Sequence, residues 1–444
     1  MSGIVGVAKP GFNHTVDHML DKIAHRGHST RVMETASATV GVTCLHHTPI
    51  QTDQPQKQEA LGADGSIDNY VILDGKTIKL KRDRLGVTPL YYGWMKDGAL
   101  CFASEVKGLL PVTKDVHELP PGHILDGKKL KSYYQLKKLP LMKQPPKRIA
   151  KELHQKLDSA VEKHINDEAV GAWLSGGLDS SVMASLARPY SKSFHTFAAG
   201  MPGSPDVKYA RVVANYIRSN HHEVIVQIDD LLKALPEVIY HLESFDALLV
   251  RSSIMNFLVA RLASEYVPTV FSGEGGDELF AGYHYLKSLN PSDLYDELID
   301  ITSRLHNTAL QRVDRCASAH GTEAHVGFLD PDVVEFALRI PPKYKLHSGV
   351  EKWILRESMA GSLPEVILNR PKSKFWQGAG VEEVLSQYAE EKISDSDYLK
   401  QRNLKNGWVL HTKEELLYYR IFRQYFGDIQ DLSWMGRTKV APVN

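Results

Sequence analysis

Ala169-Val170-Gly171-Ala172-Trp173-Leu174 runs directly into Ser175-Gly176-Gly177-Leu178-Asp179-Ser180-Ser181. The first six residues are an apolar run of the length of a buried strand, and the pattern predicts a helix beginning near Val182. Between strand and helix, two glycines permit a sharp turn and a close approach of backbone to a ligand. The amides and partial positive charge at a helix N-terminus favour an anion there, and Ser175, Ser180 and Ser181 add hydroxyl donors. Asp179 narrows the chemistry, because a carboxylate beside phosphates is repulsive unless a divalent cation lies between them. No lysine stands where the Gly-x-x-x-x-Gly-Lys-Ser/Thr P-loop needs one. The stretch therefore reads as a metal-assisted phosphate turn of a different kind.

A second stretch repeats the design. Val267 to Phe271 reads as a short strand that ends in Ser272-Gly273-Glu274-Gly275-Gly276-Asp277-Glu278. In an open α/β sheet, ligands bind beyond the carboxyl ends of the strands, so two acidic, glycine-rich loops that each follow a strand can converge on one metal-bound polyphosphate. Strand and helix patterns alternate after a helix-like run from Ile149 to His164, which predicts a doubly wound parallel sheet. The final third is mostly helical by periodicity, for instance over Val333 to Leu338 and Leu416 to Tyr425. Before it all, short β-rich runs (Ile4-Val7, Ser37-Thr43, Tyr70-Leu73, Leu100-Ala103) alternate with turns. The seam is Leu139 to Arg148, where Pro145 and Pro146 oppose both helix and central strand. The expected domains are residues 1–143 and 144–444.

Composition bounds the function. The chain has 444 residues, with Lys+Arg and Asp+Glu both at 53, so no basic excess suits it to coat nucleic acid or an anionic membrane. The apolar share of 43% fits a globular chain, and the sequence suggests neither a signal peptide nor a membrane span. Cys44, Cys101 and Cys316 are scattered and odd in number, as expected of buried thiols in a reducing cytoplasm. The adjacent pairs His46-His47 and His221-His222 read as structural or surface residues, because neighbouring side chains do not readily share one ligand face. The lysines from Lys128 to Lys138 around Tyr133-Tyr134 read as a solvated edge rather than an RNA platform.

The two loops, read together as Ser175-Gly-Gly-Leu-Asp-Ser-Ser181 and Ser272-Gly-Glu-Gly-Gly-Asp-Glu-Leu-Phe-Ala-Gly-Tyr283, resemble the synthetase domain of class B, glutamine-dependent asparagine synthetases. Phe197 to Asp206, His221-His222-Glu223, Glu323-Ala324, Phe328-Leu329-Asp330, Glu351-Lys352, Ile354 to Glu357 and Arg370-Pro371-Lys372 resemble that family in the same order. The resemblance implies an ATP-pyrophosphatase (PP-loop) domain behind a shortened αββα N-terminal-nucleophile domain. It implies ATP and Mg2+ as cofactors, with Leu174, Ser175, Gly176, Gly177, Asp179, Ser180, Phe197, Gly273 and Asp277 around the nucleotide and Asp179 and Asp277 on the metal. Glu274 would bind or deprotonate the attacking nitrogen, Lys372 would offset charge at the α-phosphate, and Arg251 matches an arginine near phosphates and substrate. Relatives that form β-lactams carry a tyrosine where Glu274 stands, so Glu274 points to amide formation between two molecules.

The pattern breaks in two places. The family's glutaminase needs Cys at position 2 as its nucleophile, and this chain has Ser2, a far weaker one. His25-Arg26-Gly27-His28 replaces His-Arg-Gly-Pro-Asp, Asp64-Gly65-Ser66 stands for Asn-Gly-Glu, and no arginine near Cys44 to His47 matches the one expected to grip glutamine. Arg82 to Tyr91 and Ala103 to Lys107 still match, so a retained scaffold with a dead glutaminase site is expected. At the acceptor site, Leu248 and Leu249 replace two threonines, and His325 and Gly327 replace an arginine and a proline. The resulting expectation is a cytoplasmic ligase that adenylates a carboxylate, aspartate by default, and transfers the acyl group to ammonia. The alternatives are another acid or amine and a silent nucleotide-binding subunit. Partners would be the small carboxylate and ammonia or another amine, with a homodimer and a separate ammonia donor left open, and no nucleic acid or membrane.

Overall fold

A computed structural model describes residues 2–45, 59–62, 70–73, 78–165, 169–371, 381–429 and 431–438. Its N-terminal part stacks two antiparallel sheets. The first has β1 (Gly3–Val7), β2 (Ser29–Glu34), β3 (Thr39–Cys44), β7 (Tyr91–Trp94), β8 (Leu100–Ala103) and β9 (His117–Glu118) in the order β2-β3-β1-β8-β7-β9. The second has β4 (Glu59–Gly62), β5 (Tyr70–Leu73), β6 (Ile78–Lys81), β10 (His123–Asp126) and β11 (Lys129–Ser132) in the order β11-β10-β6-β5-β4. Alternation makes the layers, since successive strand residues point to opposite faces. Ile4, Val40, Val42 and Phe102 turn toward Val71, Leu80 and Leu125 of the second sheet. Val5, Val7, Cys101 and Ala103 turn the other way, under the helix Asn13–Asp21, and join the core that continues into the rest of the molecule. The lysines of β11 lie exposed on an edge strand, a placement that discourages further strand pairing.

The predicted linker becomes helix sooner than its prolines suggest. The helix Pro146–Glu162 starts with Pro146 at its first position, where proline's missing N–H is no loss and its fixed φ suits the turn. The chain then builds a five-stranded parallel sheet from β12 (Val170–Trp173), β13 (Phe194–Gly200), β14 (Asn220–Ile225), β15 (Thr269–Phe271) and β16 (Glu323–His325). Its order is β14-β13-β12-β15-β16. The chain leaves β12 toward one edge and later returns to β12's other side with β15. The order therefore reverses between β12 and β15, and that is where such sheets open a ligand crevice. Both glycine-rich loops leave from these two strands.

The helix Ala247–Ser264 is long and apolar enough by composition to cross a membrane, which the sequence reading did not anticipate. It packs against β13 and against the helices Ile228–Leu242 and Ala309–Ser318, with most of its surface covered by the protein. An all-round apolar helix is what an interior position requires.

Candidate active site

The first loop leaves β12 in an order the sequence predicted, but the helix begins at Leu178 and not near Val182. Gly177 is its extended N-cap, and its carbonyl accepts hydrogen bonds from Ser180 Oγ at 3.1 Å and Ser181 Oγ at 2.7 Å. Asp179, Ser180 and Ser181 thus belong to the first helical turn. Ser175 and Ser180 hydroxyls lie 3.1 Å apart, and Gly177 N–H donates to Ser175 Oγ at 3.3 Å. Gly176 has φ +68°, and a Cβ there would sit 2.5 Å from Ala210 N. It turns the loop against the helix Pro205–Ile217 and does not line the cavity.

The second loop fits against the first only because of its glycines. A Cβ on Gly273 would lie 2.6 Å from Ser180 N, and one on Gly276 would lie 2.5 Å from Asp179 Oδ1. Gly275, at φ +94°, turns the chain into the short helix Gly276–Phe280, which carries Asp277 in its first turn. Asp179 and Asp277 consequently face one point, and one ammonium group, Lys352 Nζ, pairs with both of them, 2.5 Å from Asp277 Oδ1. Two carboxylates that share one cation at the mouth of a phosphate-binding turn are a donor set suited to Mg2+. Of the glycines in these loops, Gly177 leaves backbone open to the cavity, since a Cβ there would meet only Ser175 Oγ, at 3.3 Å.

These groups open on a cavity of about 710 Å³ lined by Leu174, Ser175, Gly177, Asp179, Ser180, Phe197, Gly273, Glu274 and Asp277. Phe197 is fully buried and stacks on His222, with ring centroids 5.2 Å apart. Leu248 and Leu249 also line the cavity from the start of the helix Ala247–Ser264. Glu274 is held by Arg312, whose other arm donates to Ser252 Oγ at 2.8 Å. Glu278 accepts from the Tyr283 hydroxyl. Burial, reinforced by the Asp277 and Glu274 carboxylates, pushes the Glu278 carboxyl up to about 7.

Other expected residues lie elsewhere. Arg251 lies just behind the cavity wall: Nε donates to Glu414 Oε1 at 2.7 Å, and Nη1 donates at 2.6 Å to Oε1 of Glu382, which lines the cavity. Its guanidinium ties the helix Lys413–Phe426 to the core. His325 stacks on His164 at 4.1 Å and lines a separate cavity of about 180 Å³, and Gly327 packs on Met183. Neither reaches the leucine wall. Lys372 lies outside the described residues, as do His46-His47 and Asp64-Gly65-Ser66. The preceding Arg370 does reach the cavity, bridging Asp206 at 2.5 Å and the Ser175 carbonyl at 3.5 Å. Ser2 precedes β1, and its carbonyl accepts from Arg26 Nε at 3.4 Å.

Sequence reasoning assigned no role to Lys352, Arg312, Glu278 or Arg370. Lys352 belongs to the Glu351-Lys352 stretch that resembles the family. Arg312 carried no local signal, because a helical arginine reads as an exposed charge until its neighbours are known.

The Asparagine synthase family model matches residues 152–300 and 289–440, and a Glutamine amidotransferase domain model matches residues 69–161. The chain belongs to the asparagine synthase family. It is 34% identical over 401 residues to an asparagine synthetase (glutamine-hydrolyzing) of Sandersonia aurantiaca, covering 84% of this chain and 76% of the relative. It is 35% identical over 370 residues to asparagine synthetase B (glutamine-hydrolyzing) of Escherichia coli, covering 78% and 67%. The asparagine synthase match spans both glycine-rich loops and the Lys352 segment. It fits the site's geometry: two acidic loops at the switch point of a parallel sheet, built for ATP and Mg2+.

Proposed function

We propose that this family member is an ammonia-dependent asparagine synthetase. It adenylates a carboxylate, the aspartate side chain by default, and passes the acyl group to ammonia, releasing AMP and pyrophosphate. The observation that carries the reading is the meeting of Asp179 and Asp277, from separate loops, at one cation position on the cavity wall.

In the first step a carboxylate oxygen of the acceptor attacks the α-phosphorus of ATP, and the bond to pyrophosphate breaks. Ser175, Gly177 and Ser180 hold the departing pyrophosphate with amide and hydroxyl donors. Asp179 and Asp277 would hold Mg2+, which would supply charge neutralisation on the phosphates. Lys372 is the expected cation at the α-phosphate, where negative charge builds in the transition state. In the second step ammonia attacks the acyl carbon, AMP leaves, and a proton is released. Glu274, oriented by Arg312, stands on the cavity wall to receive the nitrogen nucleophile. Leu174, Phe197 and Gly273 form the side assigned to adenine and ribose.

The N-terminal domain, taken as residues 1–143, keeps its scaffold and has lost its glutaminase through Ser2. Residues 144–444 carry the synthesis. A cytoplasmic setting and a homodimer are consistent with this reading. The test is pyrophosphate release from Mg-ATP and L-aspartate, with ammonium and then with glutamine. Release that yields asparagine with ammonium but not glutamine is expected. Asparagine formed from glutamine would overturn the ammonia assignment. No release with aspartate, alongside release with a larger apolar acid, would overturn the acceptor and assign Leu248 and Leu249 to specificity.

A further inference from the structure

Lys352 occupies a built position. It caps the helix Trp353–Ser358 from a left-handed backbone conformation, φ 55°, which is strained for any residue with a Cβ. Its N–H donates to Phe280 O at 3.1 Å, and its side chain is only 2% exposed. The turn that receives it is shaped to the same end. Ala281 is also left-handed, at φ 60°, and a Cβ on Gly282 would lie 1.9 Å from Asp277 Oδ1 and 2.3 Å from Lys352 Cε. Any residue but glycine at 282 would expel the ammonium from between the carboxylates. Strained backbone at one end and a glycine-only gap at the other hold this lysine where the site's divalent cation belongs.

We infer that Lys352 is a resident cation of the metal position, which holds Asp179 and Asp277 together before nucleotide arrives and makes divalent-ion binding depend on the polyphosphate. The inference rests on the reading of Asp179 and Asp277 as metal ligands. Electrostatics sets the order. Two carboxylates with one ammonium carry a net single negative charge, so the pair is preorganised without a metal. A bare divalent ion entering there meets the ammonium at close range, where like charges repel strongly in a buried site. A metal that arrives on a polyphosphate brings several negative charges with it. The ammonium then gains anionic oxygens as it yields its place, and the repulsion is offset. Nucleotide and metal are thereby coupled through one side chain.

The test uses Mn2+ as the probe, titrated calorimetrically into the full chain with and without a non-hydrolysable ATP analogue. In the wild type, Mn2+ should bind weakly alone and about tenfold or more tightly with the analogue. Lys352→Met should bind Mn2+ alone about tenfold more tightly than the wild type does. Mn2+ should also raise the melting temperature of nucleotide-free Lys352→Met and leave that of the wild type unchanged. Tight Mn2+ binding to the nucleotide-free wild type would overturn the inference, and that arm stands even if Lys352→Met fails to fold. Equal nucleotide-free affinities in wild type and variant would overturn it as well. The ligand reading is tested separately: Asp277→Asn should lose the analogue-dependent Mn2+ site, and its retention would overturn the assignment of the metal.

Discussion

Asp179 illustrates how much one side chain is asked to do. It lies in the first turn of the helix Leu178–Ala187, pairs with Lys352, and presses against Gly276 so closely that no Cβ fits between them. Asp179→Asn keeps the shape and removes the charge that a metal needs. Ammonium-dependent pyrophosphate release should fall by about 100-fold or more, while far-ultraviolet circular dichroism stays unchanged. Release at the wild-type rate would remove Asp179 from the reaction. Arg251 makes the opposite case. Its charge is spent on Glu414 and Glu382, so Arg251→Met should act on stability. Removing one partner of a buried pair costs about 3–5 kcal/mol, measurable by urea denaturation. The family resemblance makes Arg251 a candidate near phosphates and substrate, and its pairs with Glu414 and Glu382 give it a structural task as well.

At the scale of elements, the decisive contact is loop against loop. Gly273 lies so near Ser180 N that a methyl group would push the second loop off the first helical turn. Gly273→Ala should weaken binding of the ATP analogue at least about tenfold, read by calorimetry, with little change in melting temperature because the loop can move outward. Unchanged affinity would mean that the loops do not hold the nucleotide jointly. The loops were legible in the sequence, since glycines and acids after apolar runs carry a local signal. Their contact was not legible. Whether β12 and β15 are neighbours depends on strand order, and strand order is a property of pairing between segments nearly 100 residues apart.

Across the whole molecule, the N-terminal part is bound to the synthetase part by buried charge. Arg26 donates to Asp314 with both arms, at 2.7 and 2.9 Å, and to Ser318 Oγ at 3.1 Å. Arg315 meets Glu105 and Glu243 at 2.9 Å each. Asp314, Arg315 and Ser318 all sit on the helix Ala309–Ser318, which also carries Arg312 and thereby Glu274. Arg26→Met should destabilise the protein by about 3–5 kcal/mol and lower ammonium-dependent activity, whereas Ser2→Ala should leave that activity unchanged. Loss of activity in Ser2→Ala would show that Ser2 works. Nearby, His241 and His25 rings meet edge-on at 4.6 Å, and His320 packs on Phe257. Burial, with Lys107 and His25 adding to it, lowers His241 to about 2; burial, with Arg261 adding, lowers His320 to about 4. Both resist protonation in the fold but accept it near pH 6.5 when unfolded. Their contribution is therefore present above about pH 6.5 and is lost as pH falls toward those lowered values. Melting temperature should drop between pH 7 and pH 5, and drop less in His320→Phe. An identical pH profile in that variant would clear His320.

The amino-acid sequence by itself determined the kind of chemistry. Glycines, serines and acids in two short runs dictate phosphate and metal binding through local backbone freedom and charge, and the same runs carry the family resemblance. It also marked particular strands, Tyr70–Leu73 and Leu100–Ala103 among them, because burial periodicity is local. The tertiary structure alone decided where Arg251, Arg312 and Lys352 sit relative to the cavity. Arg251 and Arg312 are both helical arginines with similar local surroundings, yet one anchors a helix and the other holds Glu274. Lys352 became part of the site only when a distant turn with a glycine at 282 was brought against it. The physical reason is that a charge takes its role from its partners, and in a parallel sheet those partners come from segments far apart in the chain.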